Sequence, residues 1–390
     1  LSMNSLFINR YKNFESIFKK LVSYKSISKT ENIPLIKYVR RYLNSYGIKS
    51  SIIKGNSYQS NLYAHIGPNN ENGIMFSGHT DVVPVTGQSW DSDPFKMEIN
   101  KNNYIGRGKC DMKGFIAVVL SIIPEIKKNK LKKPIQLMFS YDEEIGCVGI
   151  QKAIPFLKSL KYRPKYCIVG EPTEMKVINE HKGKKNFVVT FNGIEAHSSI
   201  VNEGVNAINF ASDFIIFLKK MQKELQNNDN LDNNFYPNFS SINIGKIKGG
   251  IAINIIPKMC KVEFEIRNLP KTDLQALLNK IKNFLRNLEK KMKKLNENSS
   301  IDLKAFNSFP PLNTDHKNEI VKISLNASKT NDTGSVSFGT EAGIFNNLGI
   351  NTVVCGPGSI AQAHRPNEFV SRLQIEKCSK FIDKIINSLY

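Results

Sequence analysis

The sequence predicts an α/β protein: a largely parallel sheet with helices on both faces, into which a separate α+β unit of ferredoxin-like order is inserted. Two observations predict this. In both outer parts of the chain, short apolar runs alternate with helix-length stretches, as they do around a parallel sheet. The middle instead reads strand, helix, strand, strand, helix, strand, the order of a split βαβ unit. Size agrees, because 390 residues with 41% hydrophobic content exceed what one simple core usually holds.

Residues 13–46 read as two helices, the second with Leu35, Ile36, Val39 and Leu43 on one side and Gly47 placed to stop it. Strands are expected at 61–66, 74–77, 135–140, 166–169 and 352–355, separated by helical stretches such as 112–126 and 150–160. In the middle, strands fall at 184–192, 240–247, 259–267 and 301–306, with long helices at 206–226 and 274–295. The Asn/Asp-rich stretch 226–234 is a loop, and Pro310-Pro311 marks the return to the first domain.

Composition removes several function classes. No run of 18 uncharged apolar residues occurs, and Arg10, Lys12, Glu15, Lys19, Lys20 and Lys25 leave no apolar signal core near the start, so a cytoplasmic protein with no membrane partner is expected. The six cysteines are far apart, with no CxxC pair, which suits buried reduced thiols. A net charge of +21 invites a nucleic-acid partner. The lysines are dispersed, however, and even the densest run (Lys290, Lys291, Lys293, Lys294) reads as the solvated face of a helix, so no nucleic-acid partner is expected.

The chemistry gathers after the strands of the α/β part. His79 follows 74–77, Glu143 and Glu144 follow 135–140, Glu171 follows 166–169, and His364 lies in the loop after 352–355. Ligands of open α/β sheets bind outside the carboxyl ends of the strands, so these side chains are expected on one rim. Asp111 adds a carboxylate where the 112–126 helix is expected to start, a position that also suits a helix cap. Two imidazoles and three or four carboxylates, without a thiolate pair, suit divalent ions such as Zn²⁺, Co²⁺ or Mn²⁺. One catalytic ion needs about three protein ligands, so the surplus suggests two ions sharing a carboxylate. Asp81, two residues after His79, can stand behind that imidazole and orient it. Of the adjacent Glu143 and Glu144, one can ligate while the other stays free as a base.

The strings GHTDVVP (78–84), KCDMKG (109–114), DEEIG (142–146), GEPT (170–173) and AHSS (196–199) resemble, in order and spacing, the M20 metallopeptidase and deacylase family over nearly the whole chain. Within it, GEPT, HKG (181–183), GGIAINIIP (249–257), GTEAG (339–343) and CGPGSIAQAHRPNE (355–368) are most similar to the acetylornithine deacetylase branch. The resemblance implies a catalytic domain of residues 1–180 and 309–390 holding two metal ions, and a lid and dimerisation domain at 181–308. It implies that His79 and Glu171 bind one ion, Glu144 and His364 the other, and that Asp111 bridges both, followed by a cis peptide bond. Glu143 would be the general acid/base, Asp81 the partner of His79, and His197 an oxyanion ligand reaching the other subunit of a homodimer. Asn254 and Arg267 would grip the substrate's α-carboxylate, a task that suits the planar fork of arginine.

The implied reaction is hydrolysis of an N-acetylated amino acid, N2-acetyl-L-ornithine first. Succinyl-diaminopimelate, N-acetylcitrulline and general N-acyl amino acids are the alternatives. Two weaker candidates concern substrate fit. Glu341 could meet the side-chain ammonium or cap the helix near Ala342, and Gly358 and Ser359 lie in a loop that either lets the backbone approach a ligand or simply turns tightly.

Overall fold

The structure, a computed structural model, describes residues 3–127, 130–227 and 231–390, with side chains of the first helix from Arg10 onward. Part of the loop expected at 226–234, residues 228–230, lies outside the described residues. The chain divides into two compact units: Leu1–His181 with Leu312–Ser335 and Thr340–Tyr390, and Lys182–Pro311 with Val336–Gly339.

In the first unit, four strands run parallel in the order Ile135–Ser140, Ile74–His79, Tyr166–Pro172, Asn351–Gly356. The first three are buried at every position, as expected of apolar runs covered on both faces. Alternate residues make the two-sidedness visible. Ile74, Phe76, Leu137, Phe139, Ile168 and Val353 join one core with the helices Met3–Ser23, Ile33–Ser45, Gly114–Ser121, Glu319–Ser328 and Arg372–Asn387. On the opposite side, Val148–Ser159 packs on the sheet, with Phe156 edge-on to Tyr63 at 5.3 Å.

The flanks are antiparallel. Ser60–Ile66 pairs antiparallel with both Ser50–Lys54 and Ile135–Ser140. Only residues 67–73 separate it from Ile74–His79, too few for the crossover of about a dozen residues that a parallel link requires. At the other end, Ile178–His181 and Leu312–Asn313 complete the path, again antiparallel.

The expected helix at 112–126 is replaced by three pieces. Residues Lys109–Lys113 form an irregular turn with non-helical angles at Asp111 and Met112, Gly114–Ser121 is the helix proper, and Ile123–Ile126 is a short continuation begun around Pro124. Asp111 therefore caps nothing; Lys113 occupies the cap position without a side-chain bond. The Asp111–Met112 peptide is cis, as the family resemblance implied.

The second unit is a four-stranded antiparallel sheet in the order Ser241–Gly249, Met259–Asn268, Gly183–Asn192, Ser300–Phe309, the ferredoxin-like arrangement. Its helices start where the sequence supplies acceptors: Asn206 takes the amides of Ile208 and Asn209, and Asp273 that of Ala276. Ala207, Ala211, Phe214, Leu218, Met221 and Leu225 recur at helical spacing and bury against Phe187, Val189, Phe191, Val262 and Phe264. Among the described residues no helix is long and apolar enough to cross a membrane. All six cysteines are free and buried.

Candidate metal centre

Because the four central strands are parallel, their carboxyl ends share one rim. His79 ends its strand beside Ser140, Glu143 and Glu144 turn out just beyond Ser140, Glu171 lies near the end of Tyr166–Pro172, and His364 follows Asn351–Gly356 in a left-handed conformation. The turn Lys109–Lys113 brings Asp111 among them.

The side chains meet closely. His79 Nε2 lies 2.8 Å from Asp111 Oδ1 and 3.7 Å from Glu171 Oε1. His364 Nε2 lies 2.9 Å from Glu144 Oε2 and 3.6 Å from Asp111 Oδ2. The two oxygens of Asp111 thus face different imidazoles. Ligand atoms of His79, Glu143 and Glu171, and likewise of His79, Asp111 and Glu144, all fall within 4.8 Å of one another.

Electrostatics shows what this arrangement is suited to hold. Burial, with Asp111 and neighbouring carboxylates, pushes Glu143 and Glu171 well above the usual carboxyl range and Glu144 up to about 7. Burial opposes a charged His79, yet Glu171, Asp111 and Asp81 hold it well above an ordinary histidine. Hydrogen bonds to Asp111 and Glu144 raise His364 to about 10. Burial also works against an ionised Asp111, and the two imidazoles nevertheless keep it ionised. The buried lysines do not help, because Lys109 Nζ donates to the carbonyl of Lys96 and Lys113 Nζ to that of Tyr24. Four carboxylates crowded at one rim, Asp111 and Glu171 buried and Glu143 and Glu144 half-buried, need cations. An oxygen and nitrogen set without thiolates suits hard or borderline divalent ions.

The turns behind the cluster are tied down. His79 Nδ1 lies 2.9 Å from the main-chain carbonyl of Asp81, closer than the 3.5 Å to its carboxylate. The Asp81 carboxylate accepts instead from Ser28 Oγ and from the amides of Glu143 and Glu144, so it braces the glutamate turn as well.

Other expected residues fall elsewhere. Glu341 is 1% exposed, its carboxyl near Ser77 Oγ at 3.4 Å and raised to about 7 by burial. It makes no capping bond, since Thr340 Oγ1 takes the amide of Ala342. Gly358 spends its conformational freedom on the protein itself: at φ +91°, an added Cβ would lie 2.4 Å from Cys110 Sγ. Ser359 caps the short turn Ile360–Gln362, and its carbonyl accepts from Cys110 Sγ. His197, Asn254 and Arg267 belong to the second unit. His197 is exposed with Nδ1 2.7 Å from Ser199 Oγ, Asn254 is exposed, and Arg267 Nε donates to Glu265 at 2.9 Å.

Residues with no role in the sequence reading also stand at the site. Ser28 holds Asp81, and Glu368 and Arg107 hold the turn that carries Asp111. Glu368 closes the string CGPGSIAQAHRPNE, four residues after His364, but nothing in the sequence gave it a role, and Arg107 and Ser28 gave no signal.

Imidazoles and carboxylates gathered at the ends of parallel strands are the equipment of a metal-dependent hydrolase. The profile of Peptidase family M20/M25/M40 matches residues 75–388, and the chain belongs to that family and is a hydrolase. It is 33% identical over 395 residues to an acetylornithine deacetylase of Buchnera aphidicola subsp. Acyrthosiphon pisum (strain Tuc7), covering 97% of this chain and 99% of the relative. Among solved structures it resembles an M20 family metallo-carboxypeptidase from Sulfolobus solfataricus, with a TM-score of 0.76 at 19% identity over 96% of this chain and 98% of that one. A dinuclear metal-binding M20 peptidase from Bacillus subtilis aligns with a TM-score of 0.69 at 15% identity, covering 97% and 98%.

Proposed function

We propose that this hydrolase removes the acetyl group of N2-acetyl-L-ornithine, releasing ornithine and acetate in arginine biosynthesis. The observation that carries the reading is the end-to-end likeness to a relative named acetylornithine deacetylase, joined to a rim with Asp111 between two imidazoles. In this reading His79 and Glu171 would hold one ion, Glu144 and His364 the other, and Asp111 would serve both, the ions being Zn²⁺ or Co²⁺, with Mn²⁺ also suited. Two bound ions would polarise the acyl carbonyl and lower the pKa of the attacking water.

The protein's own groups do the rest. Glu143, half-buried beside His79 and Glu171, accepts as a carboxylate the proton of the attacking water and returns it to the departing amine. Asp81 holds the Glu143 amide at 3.0 Å and so fixes where that carboxyl can reach. The oxyanion of the tetrahedral intermediate is held by the partner subunit's His197. Arg267 and Asn254 take the substrate's α-carboxylate. Exposed apolar side chains on the second unit, among them Ile200, Val201, Ile247, Ile251 and Ile253, support a homodimer. Six free thiols support work in the reducing cytoplasm. Glu341 we assign to support beneath the His79 strand, since a buried carboxyl near Ser77 is poorly suited to meet a substrate ammonium.

The test is ornithine release from N2-acetyl-L-ornithine by metal-loaded protein, with N-succinyl-diaminopimelate and N-acetylcitrulline in parallel. Preferred turnover of the acetylornithine is expected. Turnover of the succinyl compound alone would overturn the substrate and keep the hydrolase.

A further inference from the structure

We propose that Glu368, clamped by Arg107, is a positioning residue that sets Asp111 against His364, an inference that rests on the metal-centre reading above. Glu368 is 1% exposed, and both of its carboxylate oxygens are engaged. Oε1 accepts from the amides of Cys110 at 2.8 Å and Asp111 at 3.1 Å. Oε2 accepts from the amide of Gly108 at 3.0 Å and from Arg107 Nη1 at 2.9 Å. Its own carbonyl accepts from the Gly106 amide at 2.8 Å.

The turn needs such an acceptor. Asp111 and Met112 depart from helical angles, so Asp111 cannot be held by an ordinary helical ladder. Glu368 supplies the acceptors that a ladder would otherwise supply, and a carboxylate is the side chain that can take four donors at once. Glu368 also lies four residues after His364, the imidazole that faces Asp111 Oδ2. One short segment therefore grips Asp111 through its main chain and faces it through a ring.

Arg107 locks that segment. Its guanidinium also donates to the carbonyl of Arg365 at 3.2 Å and to Gln88 Oε1, and it lies over the Trp90 ring at 5.0 Å. Gln88 Nε2 in turn donates to the His364 carbonyl at 2.7 Å. The same hub thus fixes the backbone of His364, which sits at φ 65°. A buried ion pair that merely braced a loop would have no reason to bond the Asp111 amide and, through Gln88, the His364 carbonyl.

Glu368→Gln tests this with little change of shape. It leaves one acceptor oxygen and sets an amide donor against Gly108 or Arg107. Wild type and variant are stripped of metal and titrated with Co²⁺ by calorimetry and visible absorption, and exchange of the 106–112 amides is followed in the metal-free proteins. The expected result is about 10–100-fold weaker Co²⁺ affinity, changed d–d bands, faster exchange, and a lower kcat with KM within about twofold. Gln88→Leu, at a partly exposed site, should shift affinity and bands in the same direction by less, and it carries the test if Glu368→Gln does not accumulate folded. A folded variant with wild-type affinity, bands and exchange would reduce Glu368 to a structural brace and overturn the proposal. Wild type that binds no Co²⁺ would instead sink the metal-centre reading and this proposal with it.

Discussion

In the first unit the reactive side chains interlock with one another, His79, Asp111 and Glu171 buried and Glu143 and Glu144 half-buried, whereas in the second the residues expected to meet substrate are exposed or, for Arg267, half-buried, and His197 and Arg267 bond near neighbours. His79 is 1% exposed and faces Asp111, Glu171 and Asp81. His197 is exposed with its ring against Ser199, and Arg267 faces Glu265 on its own strand. The contrast separates two tasks. Charge stabilisation at a reacting bond gains from a dry, rigid site, where each interaction is stronger than in water. Gripping a substrate or reaching a partner subunit requires side chains that water, and then a ligand, can reach.

Variants on the two sides should therefore fail differently. Glu143→Gln should lower kcat about 10²–10⁴-fold while metal content stays at the wild-type level, because a lost proton acceptor leaves the ligands in place. Near wild-type turnover would remove Glu143 from the chemistry. His197→Ala should cost about 10²–10³-fold in kcat, the scale of one lost oxyanion donor. Mixing His197→Ala with Glu143→Ala subunits should restore part of the activity, and a mixture no better than its components would show that His197 does not act across subunits. Arg267→Ala should raise KM about 10–100-fold for substrates with an α-carboxylate, the scale of a charged hydrogen bond, while metal affinity stays unchanged. An unchanged KM would return Arg267 to its pairing with Glu265.

The smallest effect tests the buried acid of the first unit. Glu341 has a folded pKa raised to about 7 by burial, above its ordinary 4.5. The folded state therefore holds the proton more tightly than the unfolded state, and stability falls as pH rises from about 4.5 through 7. Glu341→Gln should remove that loss, raising stability of the metal-free protein at pH 8 by on the order of 1 kcal/mol with KM unchanged. A rise in KM for acetylornithine alone would restore Glu341 to the substrate.

How legible the molecule was in its sequence follows the same division of physical causes. His79, Glu171 and the Glu143-Glu144 pair could be located because each follows an apolar run, and parallel strands put their ends on one side. The ferredoxin-like unit was legible because its helices repeat apolar residues at helical spacing and begin at Asn206 and Asp273. The direction of Ser60–Ile66 was not read from its own residues, which look like any buried strand; its only mark was the short link 67–73 to the next strand. The turn around Asp111 was hidden by the continuous apolar run behind it, which reads as one helix. Glu368 was hidden for a different reason: its partners are main-chain amides 257–260 positions away, and amides leave no mark in a sequence.

The rim of the first unit is proposed to work through two bound divalent ions. Chelated protein titrated with Zn²⁺ or Co²⁺ should bind two equivalents per chain, with release of acetate from N2-acetyl-L-ornithine appearing as the ions load. Glu143→Gln should bind the same two equivalents in silence. Wild-type protein that binds no ion at this rim, or that hydrolyses the substrate equally well after exhaustive chelation, would contradict the account.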